Sequence, residues 1–323
     1  MKQYHDLVEH VLHNGTRKEN RTGVDTLSTF GYYYEHDLRD GFPLLTTKAV
    51  SWKNIVVELL WFLSGSDKAE FLERHGCKFW EPWYLDNGRV MNCYGPAWRK
   101  FPVHKTVTKS DGGEFPLHEW DETHCSFNDQ VGWLVNELKT KPYSRRMVVT
   151  AWSPGDAQTA PLPPCHAMWV VNVQNEEPAV ALGYVDSLKP NPIKRACLHL
   201  TQRSCDVALG IPYNLASYAL LLQLLSRFSG LEPGIFGHTL IDAHIYTGKP
   251  DGSMAEYDHV PGLLDQLTRK PYPLPQLIID DSIRNLEDVE ALLHPSVTTD
   301  ALMAKFKLEG YQSHPAIKFK VAV

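Results

Sequence analysis

Apolar residues recur at helical spacing in three places: Gln3 to Leu12, Ser51 to Leu63, and Tyr213 to Phe228. The last of these, YNLASYALLLQLLSRF, is apolar nearly all round, a pattern that predicts a buried helix. Six other segments read as strands, with β-branched or alternating apolar residues: 146–152, 167–173, 179–185, 197–205, 235–246 and 274–280. No regular helices alternate with them, so the pattern predicts an α+β fold rather than a doubly wound sheet.

Polar composition interrupts this pattern at three points. The stretches near 103–128, 186–196 and 247–257 are rich in Gly, Pro, Asp and Lys, and read as surface insertions because apolar strands resume directly after them. No apolar run approaches the roughly 20 residues that span a bilayer, and MKQYHDLVEHVL lacks the apolar core of a signal peptide. A soluble, cytoplasmic protein is expected. With 323 residues, 43% of them hydrophobic, and a net charge of -6, the chain has room for a large core and no broad cationic surface for duplex nucleic acid.

Cysteines stand at 77, 93, 125, 165, 197 and 205, never as Cys-x-x-Cys. They are expected to be thiols, and no structural metal is expected. Cys165 follows Pro163 and Pro164, which bias the backbone toward an extended, rigid approach. A thiol acts as a nucleophile only where a cation or dipole favours its thiolate; otherwise a cysteine is most often a buried apolar filler. The second dense stretch is Leu200 to Leu222. There Gln202, Arg203, Ser204, Cys205 and Asp206 end a strand, and a Gly-Ile-Pro turn leads into the buried helix with Asn214 near its start. Arg203 with Ser204 suits a phosphate, and Asn214 offers a donor and an acceptor to a planar amide-like edge. The alternative for Asp206 and Asn214 is simple helix capping. Glu58 interrupts NIVVELLWFL, where a carboxylate must be exposed, paired or hydrogen-bonded; buried, it is a candidate proton relay.

In their order along the chain, NRTGVDTLSTFG, DGFPLLTTK, ELLWFLSG, FWEPW, YGPAWR, SRRMVVTAW, PPCHA, QRSCDVALGIPYNLASYALL, DAHIY, RKPYPLP and the terminal VAV resemble the folate-dependent thymidylate synthase family. That resemblance implies one catalytic domain over 1–323: an α+β fold whose large mixed sheet is flanked by helices and packs back to back with its partner's in a homodimer. It implies Cys165 as the group that adds to C6 of 2′-deoxyuridylate, dUMP. It implies Arg203, Arg21 and Ser204 at the 5′-phosphate, with Arg145 and Arg146 reaching it from the other subunit. Asn214 would read the uracil O4 and N3–H edge beside Gln202, and His244 with Tyr246 would hold the 3′-hydroxyl. Glu58 and Tyr94 would move protons. Phe79, Trp80, Trp83, Asp206, Gly210, Tyr213 and Val323 would contact the co-substrate 5,10-methylenetetrahydrofolate or close over it.

Asparagine at 214 favours dUMP over dCMP, since aspartate would suit the 4-amino group of cytosine. The product is left open between dTMP, from hydride transfer, and 5-hydroxymethyl-dUMP, from water addition. Trp80, Asp206 and the apolar tail Val321-Ala322-Val323 match the methylating branch, in which closure excludes water. Ala49, Phe79, Tyr213 and Ile241 depart from the pattern expected there. Loss of an arginine at 49 would weaken the closed tail, and the Tyr213 hydroxyl would seat a water near the folate. A catalytically silent nucleotide- or RNA-binding relative is the rival class, and it leaves the joint presence of Cys165, Arg203, Glu58 and Tyr94 unexplained.

Overall fold

A computed structural model describes residues 1–91, 93–103, 126–157, 160, 162–176 and 193–322, with the backbone alone at 103, 126, 127 and 176. The chain starts with α1 (Lys2–Asn14), β1 (Thr16–Lys18) and β2 (Asp25–Asp37), followed by α2 (Trp52–Leu63), α3 (Glu70–Arg74) and α4 (Tyr94–Arg99). A short hairpin of β3 (Phe101–Val103) and β4 (Ser126–Asn128) precedes α5 (Gln130–Thr140). Then come β5 (Val148–Thr150), β6 (His166–Glu176), β7 (Ile193–Gln202), β8 (Cys205–Asp206), α6 (Gly210–Ser229) and β9 (Glu232–Thr247). The C-terminal part holds α7 (Val260–Thr268), β10 (Gln276–Ile279), α8 (Leu286–Ala291), α9 (Thr299–Met303) and β11 (Phe306–Glu309).

Each long element follows from its residues. In α1, Tyr4, Leu7, Val8 and Val11 are buried at the i, i+3, i+4, i+7 spacing of one helix face. The Ser51 hydroxyl accepts from the Asn54 backbone N–H and caps α2, which buries Ile55 to Val57 and Leu59 to Leu63 on either side of Glu58. Helix α6 is buried on nearly every side, and Gly230 ends it at φ 69 in the left-handed region.

The main sheet is mixed, in the order β1-β2-β9-β7-β6-β5, with β8 also on β9. Strand β9 runs antiparallel to β2 and parallel to β7 and β8, while β5, β6 and β7 are mutually antiparallel. Helix α6 packs on β7, β8 and β9 and is covered in turn by α2 and α5. The opposite face of the sheet carries exposed apolar side chains, Tyr33, Val148, Met168 and Ile193, with Phe30 (90% exposed) nearby on β2. Cross-strand register places Tyr33, Val148, Met168 and Ile193 on the same side, away from α6.

The α+β expectation holds, as do the three long helices and five of the six strands. The sixth, 179–185, lies outside the described residues, as does most of the 103–128 and 186–196 stretches. Two boundaries differ from expectation. Residues 193–196 are the start of β7 rather than part of an insertion, and Gly210-Ile211-Pro212 form the first turn of α6 rather than a preceding turn. Proline is accepted there because first-turn N–H groups lack helical acceptors.

Candidate functional site

Cys165 stands just before β6, where its backbone is fixed from two sides. The Arg203 N–H donates to the Cys165 carbonyl at 2.9 Å. The Tyr94 hydroxyl oxygen accepts from the Cys165 N–H at 2.9 Å and from the His166 N–H at 3.2 Å. Tyr94 opens α4, is buried, and stacks on the His166 ring at 4.6 Å. With two N–H groups on its oxygen, the Tyr94 O–H remains free to donate or exchange a proton.

The guanidinium of Arg203 braces the approach to the thiol. Its Nε donates to the Pro164 carbonyl at 2.9 Å and its Nη2 donates to the Pro163 carbonyl, with the Trp152 ring 5.5 Å away. Burial pushes the Cys165 thiol up from its ordinary value, while Arg203 and then Arg21 pull it down. In the chain alone burial wins, so these two arginines restrain the upward shift without producing a ready thiolate. Arg21 sits exposed on the turn before Gly23, whose φ of 75 lies in the left-handed region. Arg145 and Arg146 are exposed just before β5, and the cations acting on Cys165 within the chain are Arg203 and Arg21.

At the end of β7, Gln202 is buried, and its amide N–H group donates to the Ser204 carbonyl at 3.0 Å and to Asn214 Oδ1 at 3.1 Å. The Asn214 side chain therefore does not cap α6; it bonds Gln202 and also meets His166, whose imidazole burial lowers to about 4 against that contact. His166 is neutral near pH 7. Asp206 Oδ1 accepts from the Ala208 and Leu209 N–H groups at 2.9 and 3.0 Å, closing the turn into α6. Gly210 lies beside this corner, where a Cβ would stand 3.4 Å from Asn214 Oδ1, an ordinary contact.

His244 and Tyr246 lie together on β9 with rings 5.3 Å apart. Burial opposes charge on His244, yet its contacts with Asp242 outweigh burial and raise its pKa. Asp242 is itself held by Lys18 and Ser28, both at 2.6 Å.

The opposite wall is aromatic. The Trp80 indole N–H donates to Glu58 Oε1 at 2.8 Å, and its ring packs between Trp61, Phe62, Trp83 and Tyr94. Burial raises the Glu58 carboxyl to about 7, with the Trp80 bond opposing the rise. Phe79 meets Tyr213 edge-on at 4.8 Å. Trp80 thus serves Glu58 as much as any ligand, which the sequence did not indicate.

The tail returns beside Tyr246, on the His244 side of the site. The His259 ring bonds the Lys320 carbonyl at 2.9 Å and packs between Phe319 and Tyr246. Lys48 lies 4.7 Å from the centre of the Phe319 ring, and Lys320 reaches Glu256 at 3.1 Å and the Tyr257 ring at 4.3 Å. Ala49 is exposed and takes no part in these contacts, so the tail is held by other means than an arginine at 49. Val323 lies outside the described residues. Sequence reasoning also missed Tyr34, His238, Lys48 and His259. Of these only His238 carried a signal, a histidine on the inward-facing register of an apolar strand.

A family model matches residues 2–323 and places the chain among the one-carbon transferases. That model is described as Thymidylate synthase, and the chain belongs to the thymidylate synthase family. The family acts on dUMP with methylenetetrahydrofolate as co-substrate. No helix among the described residues is long and apolar enough to cross a membrane.

Proposed function

We propose that this chain completes the family's one-carbon transfer as a reductive methylation, converting dUMP to dTMP. The Cys165 sulfur adds to C6 of the pyrimidine, and C5, made nucleophilic, bonds the methylene carbon. The methylene carbon leaves N10 of the folate as it bonds to C5; loss of the C5 proton near Tyr94 then expels N5 and leaves an exocyclic methylene, which hydride from the tetrahydrofolate turns into a methyl as the sulfur departs, giving dTMP and dihydrofolate. Splitting a hard alkylation at C5 into such steps is the ordinary benefit of covalent catalysis.

The roles follow the geometry. Arg203 and Arg21 meet the phosphate and favour the thiolate, joined by Ser204, with Arg145 and Arg146 supplied by a second copy. Asn214 meets the O4 and N3–H edge, His244 and Tyr246 the 3′-hydroxyl, and Glu58 delivers protons near neutral pH. Phe79, Trp83 and Tyr213 form a half-buried aromatic wall that suits a flat folate ring, with Asp206 and Gly210 at its edge. The exposed apolar face of Tyr33, Val148, Met168 and Ile193, with Phe30 exposed nearby on β2, supports a back-to-back homodimer.

The observation that carries methylation over hydroxymethylation is the tethered tail. His259, Lys48 and Glu256 hold residues 319–320 beside Tyr246, and a closed tail keeps water from the reactive methylene. Mass spectrometry of the nucleotide formed from dUMP and methylenetetrahydrofolate tests this reading, with dihydrofolate followed by absorbance. The expected product is dTMP with one equivalent of dihydrofolate; a product heavier by one oxygen, with no dihydrofolate, overturns it in favour of the hydroxymethylase.

A further inference from the structure

An amide side chain reads a base edge correctly only if its oxygen and nitrogen ends face the right way, and something must decide which end is which. In this chain the decision traces back to an unambiguous acceptor. The Ser204 carbonyl accepts from the Gln202 amide at 3.0 Å, so the nitrogen end of Gln202 faces Ser204 and Asn214. Its oxygen end then faces His238 Nε2 at 3.0 Å, which must carry the ring proton. His238 Nδ1 is left as an acceptor, and the Tyr34 hydroxyl donates to it at 2.8 Å.

Strand register builds this chain. Tyr34 on β2 and Leu200 on β7 flank His238 on β9, and Gln202 lies two residues further along β7. Tyr34, His238 and Gln202 are 5%, 0% and 3% exposed, so no water can stand in for a lost partner. A buried amide turned the wrong way would leave a donor and an acceptor unpaired.

We infer that the Tyr34–His238–Gln202 chain of hydrogen bonds sets which end of the Asn214 amide faces the pyrimidine, making His238 a positioning residue for base preference. With Gln202 donating to Oδ1, the Asn214 NH₂ is presented to a carbonyl such as O4, and Oδ1 keeps a lone pair for N3–H. Cytosine offers an amino group and a bare ring nitrogen, the reverse pattern. To accept it, Asn214 would have to turn. Gln202 would turn with it, losing the Ser204 carbonyl, and the His238 proton would move to Nδ1 against the Tyr34 donor. Four side chains therefore share one orientation.

The inference rests on the proposed meeting of Asn214 with the pyrimidine edge, and the experiment separates the two. Dissociation constants of dUMP and dCMP are measured by calorimetry on the full chain and on Tyr34→Phe, His238→Leu and Asn214→Asp. The dCMP-to-dUMP ratio of constants is expected to fall about tenfold in His238→Leu and about threefold in Tyr34→Phe. An unchanged ratio in both variants, or equal weakening of both nucleotides, overturns the role of His238 if Asn214→Asp still shifts the preference. An unchanged ratio in Asn214→Asp removes the base-edge reading, and the inference with it. Tyr34→Phe deletes a single hydroxyl and keeps the test alive should His238→Leu fail to fold.

Discussion

The two walls of the proposed site, one assigned to the pyrimidine and one to the folate, are held in different ways. On the pyrimidine side, Cys165, Gln202, Asn214 and Tyr94 are fixed by hydrogen bonds of 2.9 to 3.2 Å to backbone groups or to one another, on strand ends and a helix start. On the folate side, aromatic rings meet at 4.8 to 6.0 Å and the tail is tied down by groups near the surface, including a lysine and a glutamate that are 50% and 55% exposed. The first wall has one orientation available to it. The second consists of contacts individually worth little, which suits a surface that must open to admit a ligand and close over it.

Changes on the first wall should therefore be all-or-none or alter which base binds, and changes on the second should be graded and fall on the folate. The largest effect is expected for Cys165→Ser. Turnover should fall by at least about a thousandfold while the dUMP dissociation constant moves little, because the alcohol is a far weaker nucleophile. A trapped complex with 5-fluoro-dUMP and the folate should carry a covalent bond to Cys165 in the parent chain; its absence would end the covalent account. Next comes Asn214→Asp, for which kcat/KM should shift toward dCMP relative to dUMP by about tenfold or more. Equal losses on both nucleotides would reduce Asn214 to a structural role.

Glu58 joins the two walls, since its helix belongs to the core and its carboxylate accepts from the Trp80 indole N–H. Its folded carboxyl titrates at about 7, above the ordinary 4.5, because burial disfavours the charge. Any stability tied to this shift is present below the ordinary value and is lost as pH rises through about 7. Activity that needs the protonated acid should decline over the same upper range. The Trp80 N–H favours the carboxylate, so Trp80→Phe should move that alkaline limb to higher pH, whatever it does to the absolute rate. A kcat profile for Trp80→Phe that overlays the parent's would sever the link between the indole and the acid.

The same contrast explains what could be read from the sequence. The helices at 3–12, 51–63 and 213–228 carry continuous apolar periodicity, and the PPCHA and QRSCD blocks are the ones the structure brings together, with Arg203 bonded to Pro163, Pro164 and Cys165. The 13-residue strand β2 was not apparent, because Gly31 at φ 79 breaks its alternation and Phe30 and Tyr33 face outward despite being apolar. Nor was the Tyr34–His238–Gln202 chain, whose members are separated by as many as 204 residues and meet only through the register of β2, β9 and β7. The Trp80 bond to Glu58 spans 22 residues and two elements, so no local pattern announces it.

The smallest effect belongs to the tail. Lys320 and Glu256 form a half-exposed pair at 3.1 Å, and such a solvent-screened pair contributes little in ordinary salt. Glu256 lies in the 247–257 stretch, on a turn beginning at Met254, and removing its charge leaves His259 and Lys48 still holding residues 319–320. Glu256→Gln should accordingly raise KM for methylenetetrahydrofolate about two- to threefold and leave the dUMP dissociation constant unchanged. The difference should vanish at high ionic strength, where the pair in the parent chain is screened as well. A change in dUMP affinity instead, or one indifferent to salt, would mean that the two walls are not separately held, and the contrast drawn between them would fail.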